Sequence, residues 1–332
     1  MNQPLRVGLI GAGWVTAHHL AGWARLAGHA EVVAIADPDA AAARARADAF
    51  GIAQVFESAA QMLEQVRLDA VDVAAPREFH TEAVRRAAAK GLAVLCQKPL
   101  APSFTEASKL VADVDGRCRL MVHENWRFRP YYRDLARWLH EGRIGAVVQG
   151  QMTLLSSGLL PDGSGSLPAL VRQPFIATLE RALVMEILIH HIDTLRFLLG
   201  ELELRHARLG HASPAMRGED RAFLAFETAA AAPVSMLANL VVHGEPAGLV
   251  DRLTLVGTRG TLVLDGDTLR CCGPEADQRT YDMPACYEHS YAAAIAHFVA
   301  CVRSGAPFET APADNLRTLA LVEAAYAAGS EP

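Results

Sequence analysis

Apolar and polar positions along the first 124 residues alternate between two periodicities. Leu5–Ile10 is an apolar run of strand length that breaks at Gly11 and Gly13, after which apolar positions recur at helical spacing to about Leu26. EVVAIAD predicts a second strand, the alanine-rich stretch 39–50 a helix, and 52–56 a short third strand. A helix over 58–67 leads into a strand with its apolar core at 70–75, which Pro76 stops. Helix 80–90 ends at Gly91, LAVLCQKPL predicts a strand, 104–113 a helix, and CRLMVHE a sixth strand. Strand and helix in strict alternation predict βαβ units in a parallel sheet, with a ligand crevice beyond the carboxyl ends of the strands.

The pattern changes near Asn125. A helix over 131–141 and a GRIG turn precede the strand VVQGQMTLLS, and 157–170 is rich in glycine, serine and proline without periodicity, which fits a substrate-side loop or a surface excursion. A helix is predicted over 180–199. The runs LELRHARL, RAFLAFET, PVSMLANLVVH, LVDRLTLVG and GTLVLDGDTLRCC then favour an antiparallel sheet, with reversals at Gly257–Gly260 and Asp265–Asp267. Packing helices are expected over 289–303 and 315–327. The expected fold is therefore an α/β nucleotide-binding domain, doubly wound with a mostly parallel sheet, over 1–124. An α+β domain with a large, mostly antiparallel open sheet follows over 125–332, for substrate binding and oligomerisation.

Composition narrows the function classes. With 332 residues and 51% hydrophobic content the chain can bury two cores, and a formal charge of −6 gives no polyanion-binding signal, so nucleic acid is not an expected partner. Neither a signal peptide nor an apolar run of about 18 residues is evident, so a cytoplasmic protein without a membrane partner is expected. The six cysteines include no CxxC pair. Adjacent Cys271 and Cys272 should point to opposite faces of a strand, as packing or surface thiols.

Several residues carry candidate chemistry. Gly11 suits a tight turn, and Gly13 lets backbone approach a pyrophosphate at the start of the next helix, with Trp14 and Val15 in the same cradle. Thr16 replaces the third glycine of the fingerprint and asks for more room. Gly8, inside the first strand, reads as a close approach of backbone. Asp37, at the tip of the second strand, suits the hydroxyls of an adenosine ribose and repels a 2'-phosphate, which favours NAD over NADP. After the fourth strand, Pro76 would fix a loop, and Arg77 or His80 would approach cofactor or substrate; solvation of a helix start is the alternative for His80. Lys98, at a strand end before Pro99, can present an ammonium to a substrate oxygen.

In EILIHHID, Glu186 and His190 stand at i and i+4, which on one helix lets the carboxylate orient the imidazole. His191 points about 100 degrees away and reads as support. Asp193 lies near the same face, with a salt bridge as its alternative. The cluster lacks HExxH and a third soft ligand, so no metal is expected. Asn125 suits a hydrogen bond to substrate or a locked domain turn, and Arg127 an anion or an acidic anchor.

In order along nearly the whole chain, GLIGAG, DAVDVAAPREFHTEAV, VLCQKPLA, NWRFRP, EILIHHIDTLRFLLG, LVGTRGTLVLDG and SYAAAIAHFVACVRSG resemble the glucose-fructose oxidoreductase, inositol dehydrogenase and rhizopine catabolism MocA family. The resemblance implies a nucleotide domain followed by an open sheet used in oligomers. It matches Lys98 to the active-site lysine of an EKP sequence, with Gln97 in place of the glutamate on the cofactor side. It matches His190 to a general acid/base, with Glu186 in the usual aspartate position, and sets Asn125, Trp126 and Arg127 in the pocket architecture. The implied activity is hydride transfer between NAD and a hydroxyl-bearing carbon of a sugar, cyclitol or other small polyhydroxylated molecule, in a homodimer or homotetramer. A cofactor-assisted glycosidase, or a nicotinamide-responsive regulator that has lost turnover through the changes at 97 and 186, are the alternatives.

Overall fold

The structure is a computed structural model that describes residues 3–329. These fall into two units, one running to Arg129 and taking in Pro284–Leu319, the other formed by Pro130–Met283 and the residues from Ala320 onward.

The first unit opens with β1 (Leu5–Ile10), α1 (Thr16–Ala24), β2 (Ala30–Ala36), α2 (Ala40–Phe50), β3 (Gln54–Phe56), α3 (Ala59–Gln65) and β4 (Ala70–Val73). It continues through α4 (His80–Ala89), β5 (Ala93–Gln97), α5 (Phe104–Val114) and β6 (Leu120–His123). The strands form a parallel sheet in the order β3-β2-β1-β4-β5-β6. Strand order reverses between β1 and β4, the switch point at which loops diverge and leave a crevice. Both β4 and β5 are buried along their whole length, as strands covered by helices on both faces must be. Side chains close α2 at one end and backbone at the other: Asp39 accepts from the amides of Ala41 and Ala42, and Gly51 ends the helix at φ +72°. At Gly8 the close approach comes from side chains rather than backbone, since an added Cβ would meet Leu68 and Met62.

The second unit contains α6 (Pro130–His140), β7 (Val147–Leu155), the short α7 (Pro168–Arg172), a π-helical segment (Leu183–Leu188) and α8 (Ile189–Leu199). Then come β8 (Leu202–Gly210), β9 (Arg221–Thr228), β10 (Pro233–Asn239), β11 (Val250–Gly257), β12 (Thr261–Asp265), β13 (Thr268–Cys272) and β14 (Asp277–Thr280). These strands make one sheet in the order β14-β13-β12-β11-β7-β10-β9-β8, antiparallel except where β7 lies parallel to β10. Alternate residues such as Leu224, Phe226, Met236, Leu253 and Leu255 are buried, whereas Val148, Phe223 and Leu237 are exposed. Cys271 is buried and Cys272 exposed, as the two-residue period of a strand requires.

Two long helices, α9 (Met283–Ser304) and α10 (Pro312–Gly329), end the described chain. From Pro284 on, α9 belongs to the first unit: Ile295, Phe298 and Val299 join Val7, Trp23, Leu95 and Met121 in one core. Gly22 of α1 permits this packing, because a Cβ there would lie 2.7 Å from Ile295 Cδ1. A single boundary near Asn125 is thus replaced by a crossing after Arg129 and a return at Pro284. Periodicity identifies the helix but says nothing of which core takes its apolar face. No helix among the described residues is long and apolar enough to cross a membrane.

Candidate active site

The loop after β1 is shaped by its glycines. Gly11 has φ +109°, and a Cβ on it would sit 2.6 Å from the Ala74 carbonyl oxygen, so both conformation and space demand glycine. Gly13 has no heavy atom within 4 Å of where a Cβ would be. It faces the start of α1, where Val15 is the N-cap, no side chain caps the helix and its first turn carries no acid. The Ala17 and His18 amides turn back to the Trp14 and Val15 carbonyls, and the positive dipole end of α1 carries no side-chain cap or acid, which suits an anion. Thr16 is buried and donates its hydroxyl to the Gly11 carbonyl at 3.2 Å, which is how a larger residue is accommodated at the third fingerprint position. Trp14 is 43% exposed beside this loop.

Asp37 follows β2 and ties the cradle together. Its Oδ2 accepts from the Ala12 amide at 2.7 Å and its Oδ1 from the Asp39 amide at 2.8 Å. Each carboxylate oxygen keeps a second lone pair, so the group can still accept from a ribose. Arg46 of α2 donates to the Gly13 carbonyl at 3.1 Å. Nothing in the helical pattern of α2 singled out that arginine. An open glycine, an uncapped helix start and a carboxylate at the neighbouring strand tip together fit a dinucleotide.

At the ends of β4 and β5 the side chains are held from within. Pro76 leads into a 3-10 turn (Arg77–Phe79), where Arg77 meets Glu78 at 3.3 Å. His80 is buried, not solvated: its Nδ1 lies 2.8 Å from the Pro99 carbonyl and its Nε2 2.8 Å from the Ala75 carbonyl, strapping the two loops together. The Lys98 amide donates to Gln97 Oε1 at 2.6 Å, and Gln97 Nε2 lies 3.1 Å from His19 Nε2. His19 Nδ1 and Trp23 Nε1 both reach Asp72 Oδ2, at 2.8 and 2.7 Å. Burial, with the charge of Asp72 adding to it, pushes the Cys96 thiol well up, so it is a packing residue. His19 and Asp72 were not among the expected site residues, since Asp72 lies within an apolar strand run.

Asn125 and Arg127 are also turned inward. Asn125 Nδ2 donates to Ser290 Oγ at 2.8 Å. Arg127 is buried with Nη2 2.8 Å from Asp314 and Nη1 3.4 Å from the Glu309 carbonyl, the acidic-anchor arrangement.

In the second unit, the single helix expected over 180–199 is instead a π-helical segment joined to α8. Glu186 lies in the π segment and His190 in α8, so the i,i+4 geometry of an uninterrupted α-helix does not carry from one to the other. Single π turns of this kind recur at functional sites. Glu219 pins the segment by accepting from the amides of Ala182 and Val184 and from the Tyr326 hydroxyl. Burial and the Glu219 charge push the Tyr326 phenol far up, so it stays a donor. His190 is buried. His191 supports the helix: Nε2 lies 3.0 Å from Asp251 Oδ1 and Nδ1 3.1 Å from the Ile187 carbonyl, and Asp251 also accepts from Tyr131 and Tyr132. Among the described residues no group of three or more His, Cys, Asp or Glu is arranged to hold a metal. The structure thus gathers Gly11, Gly13, Asp37, Pro76, His80, Gln97 and Lys98 at the strand ends of the first unit, and sets Glu186 and His190 in the second.

Comparison with known proteins bears on this arrangement. Residues 5–123 match an oxidoreductase family with an NAD-binding Rossmann fold, and residues 132–263 match the GFO/IDH/MocA C-terminal domain. A D-apiose dehydrogenase of Paraburkholderia graminis is 33% identical, over 97% of this chain and 87% of its own. One from Rhizobium rhizogenes is 30% identical over 97% and 94%. A solved oxidoreductase from Agrobacterium radiobacter, in complex with NAD+, L-tartaric acid and magnesium, has a TM-score of 0.89 at 28% identity, covering 98% of this chain and 96% of that one.

Proposed function

This chain belongs to the GFO/IDH/MocA oxidoreductase family, and from that premise we propose that it is an NAD-dependent dehydrogenase of a sugar, cyclitol or related polyol. The observation that carries the reading is the glycine loop: open at Gly13, closed to side chains at Gly11, backed by an uncapped helix and tied to Asp37. Gly11, Gly13, Trp14, Val15 and the positive end of α1 hold the pyrophosphate, and Asp37 accepts from the ribose hydroxyls and repels a 2'-phosphate. NAD, when bound, supplies a hydride acceptor for the carbon that bears the hydroxyl.

The remaining chemistry belongs to the side chains. His190 takes the hydroxyl proton and Lys98 stabilises the negative charge that grows on the oxygen. Proton and hydride leave the same H–C–O–H unit, so a carbonyl is the product. Asn125 and Arg127, committed to Ser290 and Asp314, shape the pocket wall. The exposed Val148, Phe223 and Leu237, with Phe223 opposite Leu237 in register, favour a homodimer or homotetramer built on the sheet.

The test is a panel of aldoses, D-apiose included, with inositols and other polyols, followed by absorbance of the reduced nicotinamide. Reduction with members of the panel is expected. Tight NAD binding without turnover across the panel would overturn the dehydrogenase reading.

A further inference from the structure

We propose that Asp72, His19 and Gln97 form a buried chain that positions the Lys98 peptide, with His19 held as the neutral Nδ1–H tautomer. The proposal rests on the reading of Lys98 as the group that stabilises the substrate oxygen. Its starting point is a donor that admits no ambiguity. The backbone N–H of Lys98 can only donate, so the Gln97 atom 2.6 Å away is the carbonyl oxygen. The other end of the carboxamide is then the NH2 group, which donates to His19 Nε2 at 3.1 Å. His19 Nε2 must therefore carry its lone pair, and the ring proton sits on Nδ1, donated to Asp72 Oδ2 at 2.8 Å. Trp23, also donor only, supplies a second bond to the same oxygen at 2.7 Å and fixes the carboxylate.

Each member is buried and comes from a different element: Asp72 from β4, His19 from α1 and Gln97 from the end of β5. The chain thus ties the carboxyl end of β5 to the strand at the sheet's switch point. On the other side of Lys98, the Pro99 carbonyl is held by His80. The peptide before the lysine Cα and the one after Pro99 are gripped by side chains, so the backbone on both sides of Lys98 is fixed before any substrate binds. His19 and Gln97 are positioning residues, acting through Lys98.

Glutamine at 97 has a particular consequence. A glutamate there would present only acceptors, one to the Lys98 amide and one to His19 Nε2, and the ring would have to take up a second proton between two carboxylates. Glutamine removes that requirement. The other groups around the His19 ring are His123 at the end of β6, with ring centroids 4.3 Å apart, Tyr291 of α9 at 5.5 Å, and the neutral thiol of Cys96 on β5, which feels the charge of Asp72.

The test uses the intact protein labelled with 15N at histidine and backbone, with His19 assigned through His19→Asn. In the wild type, His19 Nε2 should show the shift of an unprotonated nitrogen and Nδ1 that of a protonated one. In Gln97→Glu, Nε2 should gain a proton that is lost as the pH rises, and the pH profile of kcat should gain an ionisation that disappears when His19→Asn is added. His19→Asn should lower kcat by up to about 100-fold through misplacement of Lys98, at unchanged NAD affinity. An Nε2–H tautomer in the wild type overturns the proposal, as does a Gln97→Glu pH profile identical to wild type in an active enzyme. If nothing on the substrate panel turns over, the dehydrogenase reading fails by itself. The ring shifts, with loss of exchange protection at the Lys98 amide in Gln97→Ala, then decide whether the chain grips that peptide.

Discussion

Gly11 and Gly13, two residues apart in the same loop, should respond to alanine in opposite ways. In Gly11→Ala the new residue must adopt φ +109°, and its methyl must lie 2.6 Å from the Ala74 carbonyl oxygen, a backbone atom that cannot rotate aside. Holding a non-glycine residue in such a region costs about 1–3 kcal/mol. Displacing the loop adds to this, so a loss of at least about 2 kcal/mol in unfolding free energy is expected, together with weaker NAD binding. In Gly13→Ala the backbone is ordinary and nothing lies within 4 Å, so stability should stay within about 0.5 kcal/mol of wild type or rise slightly through the stiffer unfolded chain. The same methyl would stand where the pyrophosphate must approach, and NAD affinity should fall at least about tenfold, or about 1.4 kcal/mol. Urea unfolding and calorimetric titration with NAD give the two quantities separately. A Gly13→Ala protein that binds NAD like wild type would refute the cradle, and a Gly11→Ala protein of wild-type stability would refute the conformational reasoning.

Asp37→Ser should shrink the ratio of NAD to NADP affinity; because Asp37 also holds the Ala12 amide, NAD affinity itself should fall. A wild type that prefers NADP would sink that assignment. His190→Asn and Lys98→Ala should each reduce turnover by about 100-fold or more with NAD binding retained, and near-wild-type rates in either would remove that residue from the chemistry. Burial raises the Asp134 carboxyl, but hydrogen bonds from Arg137, Tyr281 and Arg279 outweigh it and hold the group below 3.8. A depressed carboxyl contributes stability above its unfolded value and loses it as the pH falls through its folded one. The gap in urea midpoint between wild type and Asp134→Asn should therefore be widest above 3.8 and close in stronger acid, and a gap that widens there would contradict the pairing. Light scattering should give a mass above that of one chain, and Phe223→Glu with Leu237→Glu should reduce it; a wild-type monomer at all concentrations would overturn assembly through the sheet.

Local pattern carried most of the element order, because strand and helix periods are properties of a few consecutive side chains. The βαβ alternation, the glycine turn, the carboxylate at the tip of β2 and the strand-end position of Lys98 were all legible in this way. The π-helical segment was not: six residues of LVMEIL have the same apolar pattern whether the backbone closes its turns over four residues or five. What decides it lies elsewhere in the second unit, in the carboxylate of Glu219 and the hydroxyl of Tyr326.

By itself, the amino-acid order determined the two sheets and the position of the glycine loop after β1, since each follows from spacing along one segment. Only the tertiary structure decided which side chains are committed elsewhere. It gave Arg127 to Asp314, His191 to Asp251 and His80 to two backbone carbonyls, and it joined Asp72, His19 and Gln97 behind Lys98. Those partners are 5 to 187 residues apart in the chain, and all but one are at least 19 apart. A buried polar group must find a partner wherever the fold brings one, and no local period records where that will be.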